Sequence, residues 1–75
     1  MPLDIETAIE RAKTLPRRQQ QVLRALAAGK ERKEIASDLG ISKNTVNVYC
    51  AGLFAALGLT NSREAAVVGV KAFKL

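Results

Sequence analysis

The sequence predicts an all-α domain of four helices, or of five if the first residues also form a short helix. Apolar residues recur every three to four positions along most of the chain, which is the spacing that buries one face of a helix. Aliphatic side chains must build the core, because the 75 residues include only two Phe and one Tyr. The five glycines lie mainly where these periodic stretches end, as expected at helix C-termini.

The first periodic stretch covers residues 3–13. Its apolar residues follow one helical stripe: Ile5, Ala8, Ile9 and Ala12. Asp4 is a suitable N-cap. We expect this helix to extend the core, although a linker or docking helix of a larger protein would have the same pattern. We therefore divide the chain into an N-terminal helix or linker, residues 1–14, and a main domain, residues 15–75.

The second helix is predicted to begin at Pro16 and to end before Gly29. Proline suits the first helical position because its φ angle is preset and its missing amide hydrogen would have no partner there. The inward-facing residues of this helix are Val22, Leu23 and Leu26. The basic segment at residues 30–33 follows it, and this segment either contacts phosphate groups or forms a solvated loop.

Residues 33–57 are predicted to form two helices joined by a tight turn. The apolar residues of the first helix are Ile35, Ala36 and Leu39. Gly40 ends this helix, and Ser42 is a good N-cap for the second one, which we place at residues 43–57. A short helix, a glycine turn and a longer helix with a polar first turn are typical of a DNA-binding helix-turn-helix.

A last helix begins after Asn61 or Ser62, either of which is a suitable N-cap. Glu64 lies at capping-box spacing from Asn61. Residues 65–73 are apolar on nearly all sides of the helix. One apolar face is enough to close a domain of this size, so the second face predicts a partner. Alternatively, the N-terminal helix covers that face.

Composition narrows the function classes. The net charge of +5 favours a polyanionic partner such as nucleic acid, although modestly basic domains are also common without one. With one Cys and no His, the chain can form neither an internal disulfide nor a familiar zinc cluster, and we find no catalytic constellation. We expect a protein that is not an enzyme and uses no metal or cofactor. Without a membrane span or signal peptide, we expect it in the cytoplasm.

Short segments of the chain match one known pattern in order and without gaps. They are Leu15-Pro16-Arg17, Val22-Leu23, Ala28-Gly29, Lys33-Glu34-Ile35-Ala36, Leu39-Gly40-Ile41-Ser42, Thr45-Val46, Leu57-Gly58-Leu59 and Arg63-Glu64-Ala65. The span that they cover resembles the LuxR/GerE-type helix-turn-helix domain of bacterial transcription regulators. Region four of sigma factors opens similarly, but residues 57–65 favour the LuxR type because they prepare a further capped helix.

The resemblance implies a four-helix domain whose third helix enters the major groove and whose fourth helix forms a two-fold dimer. The expected function is sequence-specific binding of double-stranded DNA as a homodimer, which regulates bacterial transcription. In the two-fold arrangement Val67 and Val70 would pack inward. The residues expected to meet their copies across the dimer axis are Ala65, Val68 and Ala72.

Periodicity also predicts which residues of the third helix of that domain face the DNA. If its core face is formed by Val46, Leu53 and Leu57, the outward, base-contacting residues are Asn44, Asn47, Val48 and Ala51. Asparagine suits a bidentate pair with adenine, and small apolar side chains suit thymine methyl groups, so this face favours A·T-rich sites. The expected phosphate contacts are Arg32, Lys33, Lys43 and Thr45.

The sequence departs from the family pattern in its recognition helix. Asn47 stands where a basic residue is usual, and Lys43 is the only charged residue from Ser42 to Leu57. Neutralised phosphates supply much of the affinity for DNA, so this helix contributes little through charge. The alternative function is therefore a helix-turn-helix-derived interaction module. It would pair with another transcription regulator and bind DNA weakly or not at all.

Overall fold

A computed structural model describes residues 4–75 of the chain, and all regular structure in this range is helical. The helices are α1 (Ile5–Ala12), α2 (Arg17–Ala27), α3 (Arg32–Leu39), α4 (Lys43–Leu57) and α5 (Ser62–Phe73). The predicted all-α fold is confirmed, with the additional N-terminal helix present. Leu3, which the predicted first helix included, lies outside the described residues.

Local sequence signals set the helix boundaries. Asp4 caps α1, since its Oδ1 accepts a hydrogen bond from the backbone N–H of Thr7 at 2.7 Å. Pro16 stands one position before α2 instead of inside it, with its backbone extended at ψ 149°. Asn61 caps α5, and its Oδ1 accepts from the backbone N–H of Glu64 at 2.9 Å. The caps formed by Asp4 and Asn61 each satisfy a backbone donor that has no partner within its helix.

The turn between α3 and α4 is short because Gly40 adopts a left-handed conformation, with φ 67°. Side chains larger than hydrogen are disfavoured there, which explains the glycine. The backbone N–H of Ile41 then donates to the carbonyl of Ala36 at 3.0 Å. Ser42 begins the next helix, and its Oγ accepts from the backbone N–H of Thr45 at 3.1 Å. The predicted helix-turn-helix is thus present, and α4 has the predicted bounds.

All five helices contribute to one apolar core. α2 packs against α4 and α5, α1 packs against the same two helices, and α3 packs against α4. The largest fully buried side chains include Leu23, Ile35, Leu53 and Leu57. Among residues 4–75 no polar or charged residue is buried. The buried core residues are aliphatic apart from Cys50, so the core holds the helices together by apolar burial and close packing.

The orientation of α5 differs from the prediction. Val68 is only 2% exposed, and Ala65 and Ala72 are also buried in the core of their own chain. By contrast, Val67 and Val70 are 43% and 39% exposed. The predicted assignment of Ala65, Val68 and Ala72 to a dimer interface is therefore wrong. Helices α1 and α2 already cover the face of α5 that carries these three residues. Because apolar residues lie on nearly all sides of α5, the sequence pattern did not indicate which face is buried.

No helix within residues 4–75 combines the length and the apolar character needed to cross a membrane.

Candidate nucleic-acid interface

The helix α4 presents the predicted reading face to solvent. Asn44, Val48 and Ala51 are exposed, and Asn47 is partly exposed beside them. These four residues lie at positions i, i+3, i+4 and i+7 of one helix, so they form a single stripe. Val48 is 70% exposed, so its side chain is available for an external contact. Contact of this stripe with DNA bases stays a prediction.

A basic cleft lies beside the start of α4. Its walls come from the α2–α3 loop, the first turns of α3 and α4, and the beginning of α5. The lining residues are Leu26, Lys30, Glu31, Arg32, Lys33, Lys43 and Ser62. The structure therefore brings together three of the four predicted phosphate contacts from two helices, although phosphate binding itself is untested. Thr45, the fourth, lies in the first turn of α4, where its hydroxyl is 2.9 Å from Ser42 Oγ.

The cations around this cleft differ in their partners. Lys30 forms an ion pair with Asp38, and this hydrogen bond raises the pKa of the lysine above its ordinary value. Lys33 and Lys43 form no ion pair within residues 4–75. They are thus the better candidates for neutralising phosphate groups, because an ion-paired lysine must first exchange its partner.

Arg32 connects three helices. From the first position of α3, its Nη1 donates to Oδ1 of Asn47 in α4 at 2.8 Å. Its Nη2 lies 3.4 Å from Oγ of Ser62 at the start of α5. Sequence reasoning missed this cluster, because its members are 15 and 30 residues apart and no periodicity relates them. Whether Arg32 also contacts phosphate stays a prediction.

The acidic residues of α3 have structural partners. Glu34 Oε1 accepts from the backbone N–H of Glu31 at 3.2 Å, which caps the start of the helix. Asp38 holds Lys30. Both acids therefore have a structural role in or beside α3.

Cys50 lies on the buried side of α4 and is 1% exposed. Burial raises the pKa of its thiol, which disfavours the reactive thiolate at neutral pH. Cys50 is thus a packing residue of the core. Within the described part of the chain, no group of His, Cys, Asp or Glu side chains could hold a metal ion.

Known proteins of similar sequence indicate the family to which this chain belongs. Residues 13–69 match the family model described as bacterial regulatory proteins, luxR family. The chain is 44% identical over 62 residues to the transcriptional regulatory protein UhpA of Escherichia coli K12, covering 83% of this chain and 32% of that protein. It is 42% identical over 57 residues to the uncharacterized transcriptional regulatory protein YhcZ of Bacillus subtilis 168, covering 76% and 27% respectively. No solved structure matches significantly.

The chain thus spans about a third of the length of the curated relatives that it matches. The matched residues include the whole helix-turn-helix and most of α5, while α1 precedes them. These relatives are transcription regulators and not enzymes. The family match also agrees with the observed turn between α3 and α4 and with the exposed stripe on α4. The chain belongs to the luxR family of bacterial regulatory proteins and is a DNA-binding helix-turn-helix domain of their type.

Proposed function

We propose that this chain binds specific sequences of double-stranded DNA as a homodimer and thereby regulates bacterial transcription. The observation that carries the proposal is the exposed stripe on α4, with two asparagines and a 70% exposed valine, directly beside a basic cleft. Amide and apolar side chains read base edges in the major groove, whereas lysines hold the phosphate backbone. Such a function places the protein in the cytoplasm, with the bacterial DNA.

The lysines proposed to bind phosphate lie at the starts of α3 and α4 and not along the reading stripe of α4. Lys33 reaches the cleft from α3, and Lys43 reaches it from the first turn of α4. Side chains of two helices would therefore contact the DNA backbone on one side of the stripe. The backbone N–H groups of Lys43 and Asn44 at the start of α4, together with the hydroxyl of Thr45, add donors for a phosphate, whereas the N–H of Thr45 already donates to Ser42 Oγ. We infer that this arrangement replaces the charge that α4 lacks beyond Lys43. DNA binding is assigned to residues 15–75, and α1 has the structural role of covering α5.

The dimer is proposed to form through the exposed side of α5. Val67 and Val70 lie on this side with Ala66, and together they line a shallow apolar depression with Lys71. One helix face that meets its own copy across a two-fold axis gives an isologous contact, which is the commonest way for a soluble protein to dimerise. Two domains held in this way would present two copies of α4 to successive half-sites.

The DNA-binding proposal is tested with a fluorescent duplex of random sequence over a range of salt concentrations. Lys33→Ala should weaken binding to all sequences and reduce the slope of log affinity against log salt by about one unit, as expected for one lost phosphate contact. Lys13→Ala, which removes the same charge after the end of α1, is the matched control and should leave the slope unchanged.

A wild-type chain that binds no duplex at low salt would contradict the proposal. Capture of another regulator without any DNA would then favour the interaction module, for which the uncharged length of α4 is the supporting feature. Equal slopes for the wild type and Lys33→Ala, with binding intact, would remove Lys33 from the interface.

A further inference from the structure

We propose that Arg32 is a positioning residue that turns Asn47 into a donor-only reader of DNA bases. The preferred base at the Asn47 contact would then be guanine or thymine, whose major-groove edges offer acceptors and no donor, and not adenine, whose N7 acceptor lies beside the N6–H₂ donor. The inference rests on the proposed function, since it requires that α4 reads base edges. It reassigns Arg32 from the phosphate backbone to the control of sequence preference.

The geometry of the contact determines which end of the Asn47 amide faces solvent. A guanidinium group only donates hydrogen bonds, so the amide must turn its oxygen toward Arg32. The 2.8 Å distance from Arg32 Nη1 to Asn47 Oδ1 is that of a strong, charge-assisted bond. The amide nitrogen Nδ2 therefore points to the other side. Within residues 4–75 it donates to no protein atom.

Arg32 is itself held in place. Ser62 Oγ lies 3.4 Å from its second terminal nitrogen, so the guanidinium spans from α4 to the start of α5. Its side chain is partly buried, whereas the neighbouring Lys33 is exposed. Because a planar guanidinium has a rigid set of donors, contacts to two helices fix both its position and its plane. Lys33 is the better placed of the two for a phosphate.

The consequence for recognition follows from the pattern of groups on base edges. A bidentate pair between asparagine and adenine needs the amide oxygen to accept from N6–H₂ of the base. In this chain that oxygen already faces Arg32. The outward N–H₂ group can donate to O6 and N7 of guanine or to O4 of thymine. Adenine offers N7 as an acceptor, but its N6–H₂ donor lies beside it and has no acceptor to meet, and cytosine presents only a donor. Arg32 thus favours keto bases over amino bases at one position of each half-site.

The test is selection of binding sites from a pool of randomised duplexes. The wild type should enrich guanine or thymine at one position per half-site, by roughly tenfold over adenine or cytosine, in the range of one good base contact. Asn47→Asp keeps an oxygen for Arg32 but presents an acceptor to the base. It should therefore bind more weakly overall and shift the preference at the same position to cytosine or adenine.

A matched pair of variants separates positioning from charge. Arg32→Met and Lys33→Met each remove one cation from the first turn of α3. Arg32→Met should lose the keto preference and keep the wild-type salt slope. Lys33→Met should keep the preference and reduce the salt slope by about one unit. The reverse pattern, or enrichment of adenine by the wild type, would overturn the proposal.

The positioning contact can also be measured without DNA. In nuclear magnetic resonance relaxation, the Asn47 side-chain N–H₂ group should be more ordered in the wild type than in Arg32→Met, whose folding is checked by circular dichroism. Equal order would overturn the positioning role even if DNA binds. If the wild type binds no duplex but the difference in order is present, the proposed function fails and base preference fails with it, while the Arg32–Asn47 contact stands.

Discussion

Adjacent residues of α5 have opposite environments. Val67 is 43% exposed and Val68 is 2% exposed, although both are valines in the middle of the same helix. A helix rotates its side chains by about 100° per residue, so one of two neighbours can face the core while the next faces solvent. The effect of a charge at either position is therefore decided by the packing of α5 and not by residue type.

We expect Val68→Glu to destabilise the domain by roughly 3–5 kcal/mol, because it buries a charge without a partner. That loss approaches the whole stability of a typical small domain, about 5 kcal/mol or somewhat more. Urea denaturation followed by circular dichroism is the measurement. The matched control, Val67→Glu, places the same charge outside the core, and at protein concentrations too low for a dimer it should stay folded with a midpoint near that of the wild type. Similar midpoints for both variants would mean that Val68 is not in the core.

The packing of α2 against α5 depends on close approach at Gly69. A methyl group at this position would lie 2.9 Å from Cβ of Ala27 and 3.2 Å from the carbonyl oxygen of Leu23. Both atoms belong to α2, and the carbonyl is part of its backbone, so neither can move away freely. Gly52 in α4 differs, because its methyl group would meet only Nε2 of Gln19, the flexible end of a side chain, at 2.7 Å.

Replacing each glycine by alanine separates helix propensity from packing. Within a helix this change is favourable by about 1 kcal/mol when nothing obstructs it. Gly52→Ala should therefore raise the free energy of unfolding by up to that amount. Gly69→Ala should lower it, since overpacking costs roughly 1–3 kcal/mol and outweighs the gain. Thermal and urea unfolding of the two variants would show the opposite signs. An increase for Gly69→Ala would mean that α2 and α5 separate easily.

The whole molecule presents two candidate functional surfaces on different helices. The stripe on α4 lies beside the basic cleft, and the exposed valines of α5 line a separate apolar depression. The net charge of +5 draws the domain to DNA in general, while the dimer would select the spacing of half-sites. Affinity for a complete site should thus depend on both surfaces.

We expect Val67→Glu to give a folded monomer with weakened binding to a two-half-site duplex. The charge would face its own symmetry mate across the axis, which disfavours the dimer without disturbing the core. Sedimentation at high micromolar concentration measures the dimer, and binding to a single half-site is the internal control that should change little. A wild-type chain that is monomeric at that concentration, or a dimeric Val67→Glu, would remove α5 from the proposed interface.

Local sequence determined much of this protein. Helix limits were predictable to within one or two residues, and α2 begins one residue after the predicted Pro16. The caps Asp4, Ser42 and Asn61 and the glycine turn at Gly40 were predictable, because each depends on residues within about four positions. The same holds for the outward stripe of α4, whose inward residues are regularly spaced. Together with the ordered segments of the family pattern, these features identify a helix-turn-helix domain from the chain alone.

Only the tertiary structure decided two further properties. The rotation of α5 could not be predicted, because apolar residues surround the helix and packing by α1 and α2 selects which of them are buried. The contact of Arg32 with Asn47 joins residues 15 positions apart, so no local pattern indicates it. Periodicity reports which faces are apolar, whereas the choice between equivalent faces and the pairing of polar side chains depend on how the helices pack in three dimensions.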